Sequence, residues 1–317
     1  MHIGELNMHK VFIDGAAGTT GLRIHERLNS REDLTVITLP EDKRKDPQAI
    51  CEALNAADIA FLCLPDAAAR EAVAMVENPE TVILDTSTAH RTLPDWAYGF
   101  PELSSEHRAA ISRGKRIAVP GCHASGYIAL VRPLVDALLL RKDVVPACFS
   151  LTGYSGGGKK MIAQYEDDNR SPLFSAPRQY GLTQGHKHLP EMVKESGVSA
   201  PPVFCPVVGD FYSGMEVTVT VRREDLTPQA SLDVIRAVYA EKYTGPIVQY
   251  VEGADEEGFL SASALSGVDR MEISAFGTDE RILLVARYDN LGKGASGAAI
   301  QCMNLSLGVE ETTGLSL

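Results

Sequence analysis

Cys122 stands in the run Ile117-Ala118-Val119-Pro120-Gly121-Cys122-His123. There a short apolar stretch stops at Pro-Gly and a long helical pattern begins. A thiol at such a junction sits among backbone N–H groups that have no intrahelical partner, at the positive end of the helix dipole. That setting favours the thiolate, the form of cysteine that attacks electrophiles. Gly126, one turn further on, lets another backbone or a cofactor approach closely. The competing reading of Pro120-Gly121-Cys122 is a plain strand–helix connection with a buried cysteine.

Other segments supply partners for such a thiol. Gly185-His186-Lys187-His188-Leu189-Pro190-Glu191 places two histidines before a helical stretch. Histidine titrates in the working pH range and can serve as a general acid or base. The H-x-H spacing also suits metal ligation, but no further ligand spacing supports it. Val11-Phe12-Ile13-Asp14-Gly15-Ala16-Ala17-Gly18-Thr19-Thr20-Gly21 has the form strand, glycine turn, helix, with spacing G-x-x-G-x-x-G. Glycines there allow a tight turn and the approach of a pyrophosphate to the helix N-terminus. About 20 residues on, where ribose selectivity is set, lies Glu41-Asp42-Lys43-Arg44-Lys45. An acidic residue there would bind a 2′-hydroxyl and a basic one a 2′-phosphate; both occur, the lean is toward NADP, and a solvated charge run is the alternative. Together these features suggest an enzyme that forms a thioester and moves a hydride to or from it.

Three more stretches are ambiguous. Gly153-Tyr154-Ser155-Gly156-Gly157-Gly158-Lys159 reads as an anion nest or as a mobile loop. Asp85-Thr86-Ser87-Thr88-Ala89-His90-Arg91 follows a strand, where ligands gather in parallel sheets. Arg91 is suited to paired hydrogen bonds with a phosphate, while Asp85, Thr86 and Ser87 fit a turn equally well. Asn290-Leu291-Gly292-Lys293-Gly294 and the alanines after it read as close helix packing or as a cofactor contact.

The elements that must hold these residues alternate over the first 120 positions. Strands are predicted at Lys10 to Asp14, Leu34 to Leu39, Ala57 to Leu64, Thr81 to Leu84 and Arg116 to Val119. Helices are predicted at Gly18 to Asn29, from Asp46-Pro47, from Asp66 as N-cap to about Glu77, and at Ser104 to Gly114. Such alternation means a parallel sheet with crossover helices. Later strands (Val203 to Val208, Gly214 to Arg222, Met271 to Ala275, Arg281 to Ala286) and a helix opening at Thr227-Pro228 indicate a second, α+β domain with a mixed or antiparallel sheet. Gly294 to Leu307 reads as a closing helix. Gly153 to Gly185 lacks clear periodicity, and a loop of that length is usually functional.

Composition narrows the class. Across 317 residues, 30 basic and 42 acidic side chains give a net charge of −12, which argues against nucleic acid or an anionic membrane as partner. No apolar run reaches the roughly 18 residues of a membrane span. The start of the chain lacks a signal-peptide core, and Met8 is an alternative start that would leave Met1 to Asn7 as a disordered lead. The six cysteines form no C-x-x-C pair, which fits a reducing, cytoplasmic compartment. Apart from Cys122 they are expected to be small core residues.

Taken in order, Gly15 to Gly21, Cys63-Leu64-Pro65-Asp66, Asp85 to Arg91, Trp96 to Leu103, Pro120-Gly121-Cys122, Gly153 to Lys159, Gly185 to Glu191 and Asn290 to Gly297 resemble the N-acetyl-γ-glutamyl-phosphate reductase family. The likeness is to its shorter form, since the longer form differs around Asp85 to Arg91. The resemblance implies a Rossmann-type doubly wound NADP(H)-binding domain over residues 1–122 and 288–317. It implies an inserted α+β domain over 123–287 for substrate and homo-oligomer contacts, as a dimer or tetramer.

By the same resemblance Cys122 is the nucleophile, and His186 or His188 the acid/base, with His186 favoured. Gly15, Ala17, Gly18, Thr19, Thr20, Gly21, Lys43, Arg44, Cys63, Leu64, Pro65, Ser87, Asn290, Gly292 and Gly294 would meet the cofactor. Arg91, Ser155, Gly156, Lys159 and Glu191 would meet the acyl-phosphate or semialdehyde substrate and phosphate, with no metal. Aspartate-semialdehyde dehydrogenase has a similar plan, but its substrate segments do not look like Gly185 to Glu191. A non-catalytic NADP-sensing protein is the reading of another class.

Overall fold

The computed structural model describes residues 8–317, so the lead Met1 to Asn7 lies outside the described residues. Contacts divide the chain into two compact units. One runs to Val119 and takes in Ala298–Gly314; the other is Pro120–Gly297 with Leu315–Leu317. Residues 288–297 therefore pack with the second unit rather than the first.

The first unit alternates strand and helix: β1 (His9–Asp14), α1 (Thr19–Leu28), β2 (Leu34–Ile37), α2 (Pro47–Ala56), β3 (Ile59–Leu62), α3 (Asp66–Ala74), β4 (Val82–Asp85), β5 (Ala97–Tyr98), α4 (Ser105–Arg113) and β6 (Arg116–Ala118). The sheet is wholly parallel, in the order β2-β1-β3-β4-β6-β5. Its strands are short and apolar because helices cover both faces. Phe12, Leu54, Ala60, Leu62, Ile83 and Trp96 form one core cluster. The order reverses between β1 and β3, and a doubly wound sheet offers its ligand crevice at the carboxyl ends there. Asp46 caps α2 as expected, accepting from Gln48 N at 3.0 Å, with Pro47 at the first helical position. Asp66 is not the cap of α3; Pro65 holds that position. The Asp66 carboxylate instead accepts from the backbone N and the hydroxyl of Thr88.

The second unit contains α5 (Cys122–Asp136), β7 (Ala147–Gly153), α6 (Gly158–Glu166), β8 (Arg178–Gln179), α7 (Leu189–Ser196), β9 (Val203–Gly209), β10 (Met215–Arg222), α8 (Leu232–Lys242), β11 (Val248–Tyr250), β12 (Met271–Thr278) and β13 (Arg281–Tyr288). Its sheet is mixed, in the order β11-β12-β13-β10-β7-β9-β8. Helix α5 is buried along most of its length, which explains its largely apolar sequence; Arg132 and Asp136 pair near its C-terminal end. Pro133 removes the bond to Ala129 O that the helix would make. The Tyr243 hydroxyl donates to that oxygen at 2.7 Å, and Tyr239 donates to Leu130 O at 2.5 Å.

Three sequence expectations are corrected here. The stretch Gly153 to Gly185 holds α6, β8 and two short 3-10 turns. It is organised by aromatic packing, with Tyr154 stacked on Tyr165 and the Arg178 guanidinium 3.8 Å from the Phe174 ring centroid. Its glycine punctuation and polar composition hid a helix of only 9 residues. Helix α8 begins after Ser231, whose hydroxyl accepts from Val234 N; the Thr227 hydroxyl is drawn to Leu138 O instead. The last helix opens as a π-turn over Gly292–Ser296 before α9 (Gly297–Leu307).

Candidate active site

In the first unit the residues at the ends of β1 and β2 wall a groove of about 510 Å³. Phe12, Ile13, Val36, Ile37, Leu39, Leu22 and Leu64 give it apolar sides, and Arg44, Lys45 and His25 stand at its polar edge. Of the predicted cofactor residues, Gly15, Ala17, Arg44 and Leu64 line it, while Lys43 lies outside the lining. Gly15 has φ +82, and a Cβ there would sit 2.3 Å from Cys63 O. Only glycine lets β1 turn this close to the end of β3. At Gly21 a Cβ would meet Gly15 O at 2.5 Å, so that glycine seats α1 on the loop. Gly18 caps α1, and Thr19 and Thr20 form its first turn.

Cys63 takes part through its backbone: its N donates to Asp14 O at 2.8 Å. Burial pushes its thiol up to about 12. Pro65 starts α3 and is exposed. Burial raises the Asp14 carboxyl, and Asp14 also lines the groove. Asp14 and His25 were missed; the available signal was that His25 lies one helical turn beyond Leu22 on α1.

The segment after β4 forms a tight turn. Ser87 N and Oγ donate to the two Asp85 oxygens at 2.9 and 2.7 Å. His90 Nδ1 donates to Asp85 Oδ2 at 2.6 Å, and its ring stacks on Trp96 at 4.1 Å. Ser87 lies outside the groove lining, and its hydroxyl closes this turn. Arg91 is buried, with Nε donating to Val119 O and Nη2 to Thr86 O, each at 2.8 Å. The structure thus gives it the work of tying strand ends together.

The second unit gathers the thiol and the histidines. Cys122 is the first residue of α5, after Gly121 as N-cap. The first helical bond runs from Ser125 N to Gly121 O, so the N–H groups of Cys122, His123 and Ala124 lie at the open end. His123 is buried and joins two hydroxyls, Ser150 Oγ at Nδ1 and Tyr180 OH at Nε2, each at 2.6 Å. Its ring lies 5.5 Å from that of His186 and 5.6 Å from that of His188. Burial, then His186 and Lys187, pull His123 down to about 3. The His188 backbone N–H donates to His186 Nδ1 at 3.2 Å, a contact within the turn ahead of α7. Burial and then Lys187 hold His186 below the ordinary histidine range. Burial, and after it the charge of Cys122, raise the phenols of both Tyr180 and Tyr288. Tyr180 and Tyr288 were missed, since single aromatic residues far from Cys122 in sequence carry no spacing signal; His123 follows Cys122 directly, but nothing local marks it as a neighbour of the later histidines.

The remaining predicted residues frame this cluster. Glu191 Oε2 accepts Gly121 N at 3.0 Å. Asn290 accepts Gly214 N at 2.9 Å and donates to Ser155 Oγ at 3.0 Å, so both polar side chains bond within the unit. Gly292 and Gly294 allow close packing: a Cβ at the first would meet Val268 O at 2.5 Å, and at the second Cys122 Cβ at 3.1 Å. The approach expected at Gly126 comes from Tyr288 and Val217. Gly156, in the 3-10 turn before α6, and Lys159, in the first turn of α6, are exposed. Cys148 and Cys302 are fully buried, and Cys51, Cys63, Cys122 and Cys205 are partly so. Among the described residues no cluster suits a metal ion, and no helix is long and apolar enough to cross a membrane.

Residues 41–111 match the semialdehyde dehydrogenase NAD binding domain, and residues 122–290 the semialdehyde dehydrogenase dimerisation domain. N-acetyl-gamma-glutamyl-phosphate reductase of Brucella ovis is 47% identical over 306 residues, covering 94% of this chain and 99% of that protein. The Brucella abortus protein of the same name matches equally. The chain belongs to the N-acetyl-gamma-glutamyl-phosphate reductase family. Among solved structures, aspartate semialdehyde dehydrogenase II of Vibrio cholerae complexed with ASA has TM-score 0.72 at 17% identity, covering 95% of this chain and 98% of its own. Aspartate semialdehyde dehydrogenase of Candida albicans with NADP has TM-score 0.64 at 14% identity, over 94% and 98%. At such identities these two share the fold with this member of the reductase family. As a member of that family the chain is an NAD(P)-dependent oxidoreductase.

Proposed function

We propose that this enzyme converts N-acetyl-L-glutamyl 5-phosphate to N-acetyl-L-glutamate 5-semialdehyde and phosphate, in arginine biosynthesis, through a thioester on Cys122. The observation that carries this reading is the placing of Cys122 at the open end of α5, in one unit with His186, His188 and Tyr180. The groove fits a dinucleotide: its glycine turn admits a pyrophosphate, its apolar walls an adenine, and Arg44 and Lys45 a 2′-phosphate. When bound there, NADPH supplies the hydride.

The protein's own residues do the rest. His186 takes the thiol proton, and the Cys122 thiolate attacks the acyl carbon. The C–S bond forms as the C–O bond to phosphate breaks, splitting one hard step into two easier ones. N–H groups at the start of α5 hold the tetrahedral oxygen; such donors contribute roughly 3 kcal/mol each elsewhere. His186 protonates that oxygen and takes the proton back as the C–S bond opens. Gly156 and Lys159 meet the phosphate, while Ser155, Asn290 and Arg91 act by holding backbone. The first unit serves as the NADP-binding domain and the second as the substrate and oligomer domain. The open face of the mixed sheet exposes Phe149, Val203 and Leu283, and a second copy of the chain covers it. The reactive thiol suits the reducing cytoplasm.

Phosphate-dependent reduction of NADP, followed at the nicotinamide absorbance band, tests the reading. N-acetylglutamate semialdehyde should support it and aspartate semialdehyde should not. The reverse preference means an aspartate-type enzyme, and no response to either means a sensor. Normal turnover by Cys122→Ser would end the thioester account.

A further inference from the structure

Tyr288 ends β13 and is wholly buried. It is held between Met215 of β10 and Met271 of β12 in the sheet register. Its hydroxyl donates to Cys122 O at 2.5 Å and accepts Gly126 N–H at 3.0 Å. A Cβ at position 126 would stand 2.7 Å from that hydroxyl, so the glycine is what admits it. The Cys122 carbonyl and the His123 N–H belong to one delocalised peptide unit. A donor on the oxygen draws charge from the nitrogen and strengthens the N–H as a donor in its turn. That N–H lies at the open end of α5, on the same turn as the thiol.

We propose that Tyr288 is a positioning residue acting through the Cys122–His123 peptide, strengthening the N–H that stabilises both the thiolate and the reacting oxygen. The inference rests on Cys122 being the nucleophile. Burial, then the charges of Cys122 and Cys148, keep the Tyr288 phenol protonated and so always a donor. The other titratable groups around this turn are His123 on α5 itself, Tyr180 just after β8, His186 and His188 ahead of α7, Glu191 on α7 through Gly121, and Cys148 on β7.

The test uses the full chain and needs no substrate. Cys122 alkylation by iodoacetamide is followed against pH, with the labelled peptide identified by mass spectrometry. In Tyr288→Phe the midpoint should move to higher pH, with labelling near neutrality slowed about fivefold, the worth of one hydrogen bond. The kcat should fall while KM for NADPH stays. Should that variant not fold, 3-fluorotyrosine at position 288 keeps the packing and is a stronger donor, and the midpoint should then move to lower pH. A folded protein of either kind with an unmoved midpoint overturns the proposal, even if turnover is lost. Normal turnover by Cys122→Ser overturns the underlying reading instead.

Discussion

Glu191 Oε2 accepts the backbone N–H of Gly121 at 3.0 Å, so a carboxylate on α7 holds the residue that caps α5. The two lie 70 positions apart in the chain, and both are buried. Glu191→Ala would strand a buried donor, at about 1–3 kcal/mol. Thermal melting should report that loss, and stopped-flow release of phosphate should slow because α5 starts less rigidly. Glu191→Gln keeps an oxygen acceptor and should recover most of the stability. If the alanine variant melts like the parent, the contact does not anchor the turn.

His186 lies below the ordinary histidine range because of burial first and Lys187 second. A histidine with a lowered pKa stays neutral, and able to take the thiol proton, to more acid pH. Lys187→Ala removes the smaller cause, raises the His186 pKa and should shift the acid limb of kcat/KM to higher pH. A shift in the other direction would remove His186 from the base role.

Arg44 and Lys45 edge the groove in the first unit and Lys43 does not. Arg44→Ala should raise KM for NADP several-fold more than KM for NAD, because a guanidinium binds phosphate by paired bonds. Lys43→Ala should leave the ratio of the two nearly unchanged. Initial-rate kinetics with both cofactors decide between them.

His123 is buried neutral and pulled down to about 3. The unfolded chain therefore binds a proton at this position through a pH range where the folded chain does not. Stability should fall as pH drops from the ordinary histidine value toward 3, by up to about 1.4 kcal/mol per pH unit from this group. Urea unfolding across that range should give a shallower slope in His123→Gln. Equal slopes would mean that His123 is protonated in the folded state.

Gly294 leaves room for the thiol-bearing residue, since a Cβ there would press on Cys122 Cβ at 3.1 Å and on Asp289 O at 3.1 Å. Gly294→Ala should cut kcat about tenfold by misplacing the thiol, as small displacements at reacting atoms do. NADPH binding, measured by fluorescence titration, should persist. Lost cofactor binding with unchanged kcat would return Gly294 to the cofactor role read from its sequence.

What could be read locally was read well. Alternation of short apolar runs with capped helices yielded the parallel sheet, and Asp46-Pro47 marked α2 by chemistry that needs no tertiary partner. The turn at Gly15 and the helix start at Cys122 were legible for the same reason: glycine and proline act on their own backbone. Elements of two or three residues such as β5, β8 and β11 were not, because they exist only through pairing with a neighbour.

The sequence by itself determined the architecture class, the helix start at Cys122 and the glycine turn, since each follows from a residue's own conformational limits or its immediate neighbours. Only the tertiary structure decided what each polar side chain does. Arg91, Ser155 and Asn290 read as ligand-binding groups, yet they bond backbone and one another because burial obliges every polar atom to find a partner. Tyr180 and Tyr288 came to the start of α5 from other elements. Hydrogen bonds across such distances in sequence depend on how strands and helices pack, and no local pattern records that.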